Sequence, residues 1–382
     1  MTISSRMNGF TSFIVMDVLE AALELERNGA DVVHLEVGEP NFDPPGPVVE
    51  AMQRATADGQ THYTHSMGIA PLREAVAEYY ARHYGVSIAP DRVCMTTGTS
   101  AAFLMLFGVM LNPGDRVGMS DPGYPCYPNF VRFVSGQPVQ IPISEKQGFQ
   151  LTPDSLENHD LSKTRHFVIS SPANPTGTVT RKETYEWILH RGHTLISDEI
   201  YHRLNYSGEP EFTALQLSDD AIVVDGFSKR YAMTGCRLGW MVIPERLVRP
   251  MNKAAQNLYI SPPTVSQYGG LAALRECDPH VESMRQEYAR RHRVLIDGLR
   301  SLGFTIAFEP QGAFYVFADV TRFCSDSYDF AMRMLQEAHV AATPGADFGT
   351  FGTNRYVRFA YTQEVPRIED AIQRLSCWLK KQ

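Results

Sequence analysis

The sequence predicts an α/β protein with a large domain, in which helices sandwich a mostly parallel mixed sheet, and a smaller α+β domain. Three observations predict this fold class. The chain has 382 residues, which is more than a single core usually holds. Its composition, 43% hydrophobic and 20% charged, is that of an ordinary globular protein. Segments with strand and helix character alternate along most of its length, and this order is typical of parallel sheets.

The N-terminal part of the chain predicts three helices and one strand. Apolar residues at helical spacing predict a helix over Met16–Asn28 that stops at Gly29, and Val32–Val37 has the character of a strand. The proline-rich sequence GEPNFDPPGP then predicts a rigid turn. Pro47 and Pro71 suit the first turns of two further helices, because proline needs no amide partner there.

The middle of the chain alternates short apolar runs with helical segments. After Arg92, the strand VCMT leads through TGTS into a long apolar helix. Thr180 and Glu183 have the spacing of a capping box, which predicts the start of a helix at this point. The further predicted strands are Asp115–Ser120, His166–Ser170, Leu195–Ser197 and Ala221–Asp225. This order predicts a mostly parallel sheet that helices cover on both faces.

One long helix is expected to join two domains. Asp278 and Pro279 predict its N-cap and its first turn, and the helix should continue to about Leu302. Within Arg285–Arg300 apolar residues recur at helical spacing, so we expect the arginines on a solvated face. The predicted division is an N-terminal segment, 1–40, that packs with the small domain, a large domain, 41–285, and a small C-terminal domain, 286–382.

Charge and cysteine usage argue against several classes of function. The chain carries 35 Lys and Arg against 43 Asp and Glu, a net charge of −8, which opposes binding to nucleic acid or to an anionic membrane. Its longest apolar run, Phe103–Leu111, is too short to cross a bilayer, and the N-terminus lacks the pattern of a signal peptide. We therefore expect a cytoplasmic protein. Six widely spaced cysteines without a CxxC pair predict buried free thiols and no metal site.

Polar residues follow several predicted strands, at the ends where α/β sheets bind their ligands. Thr99 and Ser100 open a helix whose N-terminus suits a phosphate group, although both also suit a plain helix cap. Asn174 lies in an NP turn, and Asp198 ends a buried strand, where a carboxylate needs a partner. Lys229 follows the next strand and is either a surface lysine or a reactive amine with a lowered pKa.

A series of motifs covers nearly the whole chain. It runs from VGEPNFDPP through HYTHSMG, TTGTS, DPGYPCY, SSPANPTG, SDEIY and GFSKRYAMTGCRLGW to GAFY, PGADFG and RYVRFAY. In order and spacing these motifs resemble the class I/II aminotransferases of pyridoxal 5'-phosphate (PLP) fold type I, the aspartate aminotransferase-like family. The resemblance implies a PLP-dependent enzyme that moves the α-amino group of an L-amino acid to a 2-oxo acid by a ping-pong mechanism.

The same resemblance implies roles in the reaction for individual residues. Lys229 would hold PLP covalently and carry the proton that leaves the substrate α-carbon. Asp198 would keep the pyridine nitrogen of the cofactor protonated. Tyr201 and Asn174 would donate hydrogen bonds to the ring oxygen, and Tyr124 would stack on the ring face.

The resemblance also implies a phosphate site and a second subunit. Thr99 and Ser100 would bind the phosphate together with Ser228 and Arg237. Tyr63 would reach the same phosphate from the neighbouring subunit, so the resemblance implies a homodimer with shared active sites.

The substrate carboxylate would be bound by Arg358 through two parallel hydrogen bonds, with Asn174 and the backbone of Gly38 assisting. Three positions depart from the pattern of the family, and one of them, Gly226, stands where some branches have a phosphate-binding serine. Cys236 replaces a tryptophan that is usual there, and Ser100 stands where some aspartate-using relatives have a lysine. The identity of the amino donor therefore stays open at this point.

Two other functions remain as alternatives. A PLP-dependent carbon–sulfur β-lyase acting on cystathionine or cysteine conjugates would share the fold and nearly all cofactor contacts. An effector-sensing domain without catalysis, as in some transcription regulators, would need an added DNA-binding module, for which the resemblance leaves no room.

Overall fold

The computed structural model describes residues 3–381 of the chain. The helices are α1 Ile14–Arg27, α2 Gly46–Ala57, α3 Ala70–Tyr84, α4 Thr99–Met110, α5 Cys126–Phe133, α6 Pro153–Glu157, α7 Lys182–His190, α8 Glu245–Leu258, α9 Thr264–Glu276, α10 Asp278–Leu302, α11 Ser327–Ala338 and α12 Val365–Leu379. The strands are β1 Val33–His34, β2 Val93–Thr96, β3 Arg116–Asp121, β4 Gln137–Pro142, β5 Thr164–Ser170, β6 Thr194–Asp198, β7 Ile222–Gly226, β8 Gly239–Val242, β9 Tyr315–Asp319, β10 Val340–Ala341, β11 Thr343–Pro344 and β12 Tyr356–Ala360.

A seven-stranded sheet with the order β2-β8-β7-β6-β5-β3-β4 forms the main layer of the fold. All its strands are parallel except β8, which is antiparallel to both neighbours. Side chains alternate across the sheet, so that Val223 packs in one apolar cluster and Val224 in the cluster on the opposite face. Helices α3 and α9 cover the first face, and α4 and α8 cover the second. The predicted mostly parallel mixed sheet between helices is confirmed.

Two strands of this sheet, β4 and β8, were not predicted from the sequence. Strand β4 is an edge strand that contains two prolines and two glutamines, so it has no apolar run to detect. Strand β8 has only four residues and continues directly from the sequence that carries Lys229. The predicted strands at residues 93–96, 115–120, 166–170, 195–197 and 221–225 all lie within one or two residues of observed strands.

The C-terminal part builds a smaller antiparallel sheet with the order β11-β12-β9, against which α10, α11 and α12 pack. The N-terminal segment joins this part of the chain: β1 pairs in parallel with β10. Val18 and Ala22 of α1 share an apolar cluster with Leu335 of α11. Strand β1 has two residues, fewer than the six predicted over Val32–Val37, because only Val33 and His34 find ladder partners in β10.

Two predicted helix starts are wrong in detail. Thr180 and Glu183 do not form a capping box, because α7 begins at Lys182 with Arg181 at the N-cap and no side-chain cap. The amide of Thr180 instead donates to the Ser171 hydroxyl at 3.0 Å. Asp278 is the first residue of α10 rather than its N-cap, and its carboxylate pairs with Arg203.

The solvated arginine face predicted for α10 has one exception, Arg291, which is 3% exposed. Its guanidinium lies 4.7 Å from the centre of the Phe42 ring and donates to the Asn41 side chain at 2.6 Å. It also donates to the backbone oxygen of Thr362. A tertiary contact with the segment after β1 therefore overrides the helical periodicity at this position.

The cysteines are unpaired, but they are not all buried as predicted. Cys94 and Cys277 are buried and Cys377 is exposed, whereas the other three are partly buried. Between residues 3 and 381, no helix combines the length and the apolar character needed to cross a bilayer.

Candidate active site

The carboxyl ends of three neighbouring parallel strands border a cavity of about 190 Å³. Strand β6 ends at Asp198, directly opposite Ser170 at the end of β5. Asn174 follows β5 by four residues, and Lys229 follows β7 by three residues. Because the ends of adjacent parallel strands meet at one edge of a sheet, these side chains converge on the same space.

The cavity gathers most of the residues that the sequence analysis singled out. Those that line it are Gly38, Thr99, Ser100, Tyr124, Asn174, Asp198, Tyr201, Lys229 and Arg358. Ser228, Arg237 and Tyr63 are not among its lining residues. Of these three, Arg237 lies beside the start of α4, and Tyr63 is 79% exposed on the surface of this chain.

Lys229 lies partly buried in the cavity, and its Nζ donates to the backbone oxygen of Gly38 at 2.8 Å. Burial lowers the pKa of this amine to about 8, although the Glu39 carboxylate opposes the shift. The next residue, Arg230, is fully buried and pairs with Asp225 of β7. This pair anchors the segment so that Lys229 projects on the cavity side.

Asp198 is 5% exposed at the end of β6. One carboxylate oxygen accepts from the hydroxyl of Tyr127, and the other accepts from the backbone N–H of Ile200 at 3.2 Å. Burial raises the pKa of the Asp198 carboxyl to about 7, while these two hydrogen bonds lower it. A cationic group placed against this carboxylate would stabilise its charged form.

Two tyrosine hydroxyls meet on the neighbouring wall of the cavity. The Tyr201 and Tyr315 hydroxyls lie 2.7 Å apart. Gly38 passes close to the same place: a Cβ atom there would lie 1.9 Å from the Tyr315 hydroxyl oxygen. Only glycine therefore lets the backbone that accepts from Lys229 approach this wall.

Arg358 is 2% exposed, and its guanidinium is held by hydrogen bonds from several parts of the chain. Nη1 donates to Asn174 Oδ1 at 2.8 Å, and Nη2 donates to Thr343 Oγ1 at 3.2 Å and to the backbone oxygen of Glu36. Its carbon Cζ lies 4.3 Å from the centre of the Tyr315 ring. The Nε atom is buried without a hydrogen-bond partner among residues 3–381.

The start of α4, which also lines the cavity, has the features of an anion site. Helix α4 begins at Thr99, and its free N–H groups and dipole favour a negative group there. Gly98 precedes it at φ +90°, and a Cβ atom there would lie 2.5 Å from Nη2 of Arg237. The Arg237 guanidinium therefore lies against the turn that leads into α4. Ser228 is partly buried, whereas Ser100 is exposed.

Some residues of this site were not singled out from the sequence. Tyr127 and Tyr315 stand inside the quoted motifs DPGYPCY and GAFY, but their hydroxyl contacts join distant parts of the chain. Tyr127 lies three residues after Tyr124, which was a signal that both rings could face one site. The backbone oxygen of Glu36 carries no sequence signal at all.

The residues of the cavity fit PLP on four observations. A cavity of 150 Å³ accommodates a benzene ring, and this one, at about 190 Å³, has room for an aromatic ring. The anion site at α4 suits a phosphate, and buried Asp198 suits a protonated ring nitrogen. Lys229 supplies an amine with a lowered pKa.

Comparison with known proteins agrees with this chemistry. The family described as "Aminotransferase class I and II" matches residues 30–375, and the chain belongs to this family. Valine–pyruvate aminotransferase from Mycobacterium tuberculosis is 40% identical over 98% of this chain and 98% of its own. The (5-formylfuran-3-yl)methyl phosphate transaminase from Methanocaldococcus jannaschii is 38% identical over 99% of this chain and all of its own. The crystal structure of an aminotransferase from Mycobacterium tuberculosis superposes with a TM-score of 0.96 at 40% identity and covers both chains fully.

These findings confirm four predictions made from the sequence. The fold is that of PLP fold type I, and the protein is an aminotransferase. Aminotransferases of this family that resemble aspartate aminotransferase depend on PLP, so PLP is the cofactor. Its substrates are an amino acid and a 2-oxo acid. The names of the relatives favour amino transfer over the carbon–sulfur lyase alternative.

Proposed function

We propose that the enzyme moves the α-amino group of an L-amino acid to a 2-oxo acid in two half-reactions within this cavity. The observation that carries the proposal is that Lys229, Asp198 and Arg358 line one cavity at the ends of the central strands. An amine, a carboxylate and a guanidinium are the three groups needed to move a proton, to hold a cationic ring and to bind a carboxylate. The relatives are named for different substrates, and the reaction that they share is proposed for this chain.

PLP would be held by residues from five segments of the chain. Bound PLP supplies an electron sink that makes the α-hydrogen of an attached amino acid acidic. Asp198 would pair with the ring nitrogen, and Tyr124 would stack on the ring face. Tyr201 and Asn174 would donate hydrogen bonds to the ring oxygen. The phosphate would be bound by Thr99, Ser100, Ser228 and Arg237, a set supported by the position of Arg237 beside the start of α4.

Lys229 is proposed as the general base that accepts the proton from the substrate α-carbon at Nζ. A general base works best when its pKa lies near the working pH. Burial lowers the pKa of Lys229 to about 8, so a useful fraction of the amine is neutral at pH 7 to 8. The Gly38 backbone oxygen, 2.8 Å away, orients the nitrogen.

Arg358 is proposed to bind the α-carboxylate of the substrate. Its guanidinium is fixed by Asn174 on one side and by Thr343 and the Glu36 backbone on the other. A guanidinium held in one orientation loses little entropy when it binds a carboxylate, which favours a defined placement of the α-carbon. The backbone of Gly38, on the same wall, is proposed to assist.

We also propose that the active form is a homodimer with shared sites. Tyr63, Leu258 and Ile260 are 79%, 66% and 46% exposed. The Thr64 amide donates to the Ser261 hydroxyl at 3.3 Å, which joins the loop that carries Tyr63 to the segment at the end of α8 that carries the other two. Such a group of exposed large apolar side chains favours a subunit interface. Tyr63 would then reach the phosphate of the partner subunit, as the family pattern implies.

Mixed dimers test the shared site. Tyr63→Ala and Lys229→Ala homodimers should both be impaired, whereas co-expression should restore activity, because one site of each mixed dimer then has both residues intact. If Tyr63 acts within its own subunit, mixing will give no gain over the two separate variants. Analytical ultracentrifugation of the wild-type enzyme measures its mass in solution, which should be that of a dimer.

The division into an N-terminal segment, 1–40, a large domain, 41–285, and a small domain, 286–382, remains a proposal. It is supported by the pairing of β1 with β10 and by the separate apolar cluster around α10, α11 and α12. Limited proteolysis of the holoenzyme that released a stable fragment ending near residue 285 would support this boundary. Fragments ending only elsewhere would place the boundary at another point.

The catalytic proposal is tested by following both substrates in the purified holoenzyme. Initial rates with varied L-amino acid and 2-oxo acid should give the parallel double-reciprocal lines of a ping-pong mechanism. Lys229→Ala should lower turnover by about 10²- to 10⁴-fold, the range of general acid–base catalysis. Lys253→Ala, which removes an exposed lysine on α8, is the matched control and should retain activity. Substantial turnover by Lys229→Ala would contradict the proposed role.

A further inference from the structure

The first turn of α1 forms one wall of the cavity. Phe13, Val15 and Met16 all line it. The Phe13 ring meets the Tyr124 ring edge to face, with centroids 6.3 Å apart and planes at 89°. The part of the cavity wall that is built from α1 is therefore apolar.

This turn is held in place by a carboxylate from the other end of the chain. Asp347 Oδ1 accepts from the backbone N–H of Ile14 at 2.7 Å, and Oδ2 accepts from the N–H of Val15 at 3.4 Å. The N-cap residue, Phe13, offers no side-chain hydrogen bond of its own. The first N–H groups of a helix have no partner within the helix, and a carboxylate there also interacts favourably with the helix dipole.

The segment that carries Asp347 is itself fixed to the central sheet. Asp121, the last residue of β3, accepts from the backbone N–H of Thr350 at 3.0 Å and from that of Phe351 at 3.3 Å. Asp347 is 7% exposed, so its carboxylate has little freedom to find other partners. The position of the α1 wall is thus set by a chain of contacts that starts at the sheet.

The charges around the cavity distinguish between classes of donor side chain. Within the described residues that line it, the positive side chains are Lys229 and Arg358. In the proposed function, Lys229 accepts the proton from the α-carbon and Arg358 binds the α-carboxylate. A second carboxylate on the donor would therefore find no further cation among the residues of this chain that line the cavity, and it would approach the turn of α1 that Asp347 caps. An apolar donor side chain would instead cover Phe13, Val15 and Met16.

We propose that Asp347 is a positioning residue of the amino-donor site. Its two hydrogen bonds to α1, called the latch, hold the first turn of this helix in place, so that the apolar wall formed by the turn selects donors with aliphatic or aromatic side chains over dicarboxylic ones. The inference rests on the proposed aminotransferase function. Asp347 does not line the cavity, and its hydrogen bonds go to the Ile14 and Val15 amides, so it acts through α1.

Hydrogen exchange tests the latch without any catalytic readout. In the apo-protein, Asp347→Ala should increase the exchange rates of the Ile14 and Val15 amides by about tenfold or more, the factor that corresponds to about 1.4 kcal/mol. Asp347→Asn keeps one acceptor oxygen and should give a smaller increase. Asp17→Asn alters an exposed carboxylate in the same turn that accepts a hydrogen bond from the Ser12 hydroxyl, and it is the matched control.

Steady-state kinetics test the selection. For the wild-type holoenzyme, kcat/KM should be higher for L-leucine and L-phenylalanine than for L-aspartate, all with one 2-oxo acid as acceptor. Asp347→Ala should reduce this preference by about tenfold or more, mainly through a higher KM for the apolar donors, because the wall is no longer held. Asp347→Asn should fall between the wild type and Asp347→Ala, and Asp17→Asn should keep the wild-type preference.

The outcomes separate this inference from the reaction on which it rests. Unchanged amide exchange in Asp347→Ala, or an unchanged ratio of the two donor classes, would overturn the latch. A wild-type preference for L-aspartate would overturn the donor class while the aminotransferase function stood. If the wild type aminated no 2-oxo acid with any common donor, the proposed function would fail, and the exchange experiment alone would still decide on the latch.

Discussion

Arg230 lies one residue after Lys229 and fixes the direction of that lysine from inside the fold. Its side chain is fully buried, pairs with both carboxylate oxygens of Asp225, and donates to the Tyr79 hydroxyl. Its guanidinium carbon also lies 5.6 Å from the centre of the Trp240 ring. Arg230→Met keeps most of the side-chain volume but leaves the Asp225 carboxylate buried without its cation. The predicted consequence is a large loss of stability.

The magnitude follows from the cost of an unpaired buried charge. Removing one partner of a buried ion pair costs about 3–5 kcal/mol, and the lost ring contacts add about 0.5–2 kcal/mol. Burial already raises the pKa of Asp225 to about 6 in the presence of Arg230. Without the arginine this pKa rises further, so Asp225 stays protonated to higher pH in the folded variant. The loss of stability should therefore be smaller at pH 6 and grow towards pH 8.

The measurement is urea unfolding of the apo-proteins, followed by tryptophan fluorescence at several pH values. The apo-proteins are compared because bound PLP would add its own stabilisation. Arg246→Met is the matched control, since Arg246 pairs with Asp220 at the surface, where both side chains are more than half exposed. That change should cost about 0–1 kcal/mol.

A double-mutant cycle decides whether the pair or the arginine alone carries the effect. Adding Asp225→Asn to Arg230→Met removes the unpaired charge, so the double variant should be more stable than Arg230→Met alone. The reasoning would be refuted if Arg230→Met cost no more than Arg246→Met, or if the second substitution only added to the loss.

Two further predictions concern the cofactor site. Gly98→Ala should weaken the binding of PLP and of inorganic phosphate to the apo-protein in fluorescence titrations, because the new Cβ would lie 2.5 Å from Arg237 in a backbone of φ +90°. Gly108→Ala, whose new Cβ would have its nearest neighbour at 4.0 Å, is the control and should leave both affinities unchanged. Equal affinities of the two variants would contradict the anion site. In the apo-protein, the rate of acylation of Lys229, measured by peptide mass spectrometry, should rise with pH with a midpoint near pH 8. Glu39→Gln should lower that midpoint, because the Glu39 carboxylate raises the pKa of Lys229. A midpoint at the ordinary lysine value of about 10.4 would contradict this account.

The sequence predicted those parts of the site that follow from local order along the chain. Asn174, Asp198 and Lys229 each follow an apolar strand run, and parallel strands bring such positions to one edge of the sheet. Arg358 could be assigned only through the family resemblance, because nothing local distinguishes it from an exposed strand residue. Its hydrogen bonds to Asn174 span 184 positions of sequence.

The missed features are those that depend on contacts between distant segments. Tyr127 reaches Asp198 from 71 positions away, and Asp347 holds α1 from 333 positions away. Periodicity reports only which face of an element is apolar. It therefore failed for Arg291, which lies on α10 among arginines yet is buried against Phe42.

Two buried arginines show how the structure separates stability from binding. Arg230 and Arg358 are both almost without exposure, and an isolated buried charge is costly in either place. Arg230 has its counter-charge inside the fold, in Asp225. Within residues 3–381 no carboxylate lies in ion-pair contact with Arg358. Its hydrogen-bond partners are an amide, a hydroxyl and a backbone oxygen, which fix its direction, and the Asp347 carboxylate acts on it only through space. An anion that enters the cavity can form the ion pair that Arg358 lacks within the fold. The α-carboxylate of an amino acid should therefore bind most favourably at Arg358.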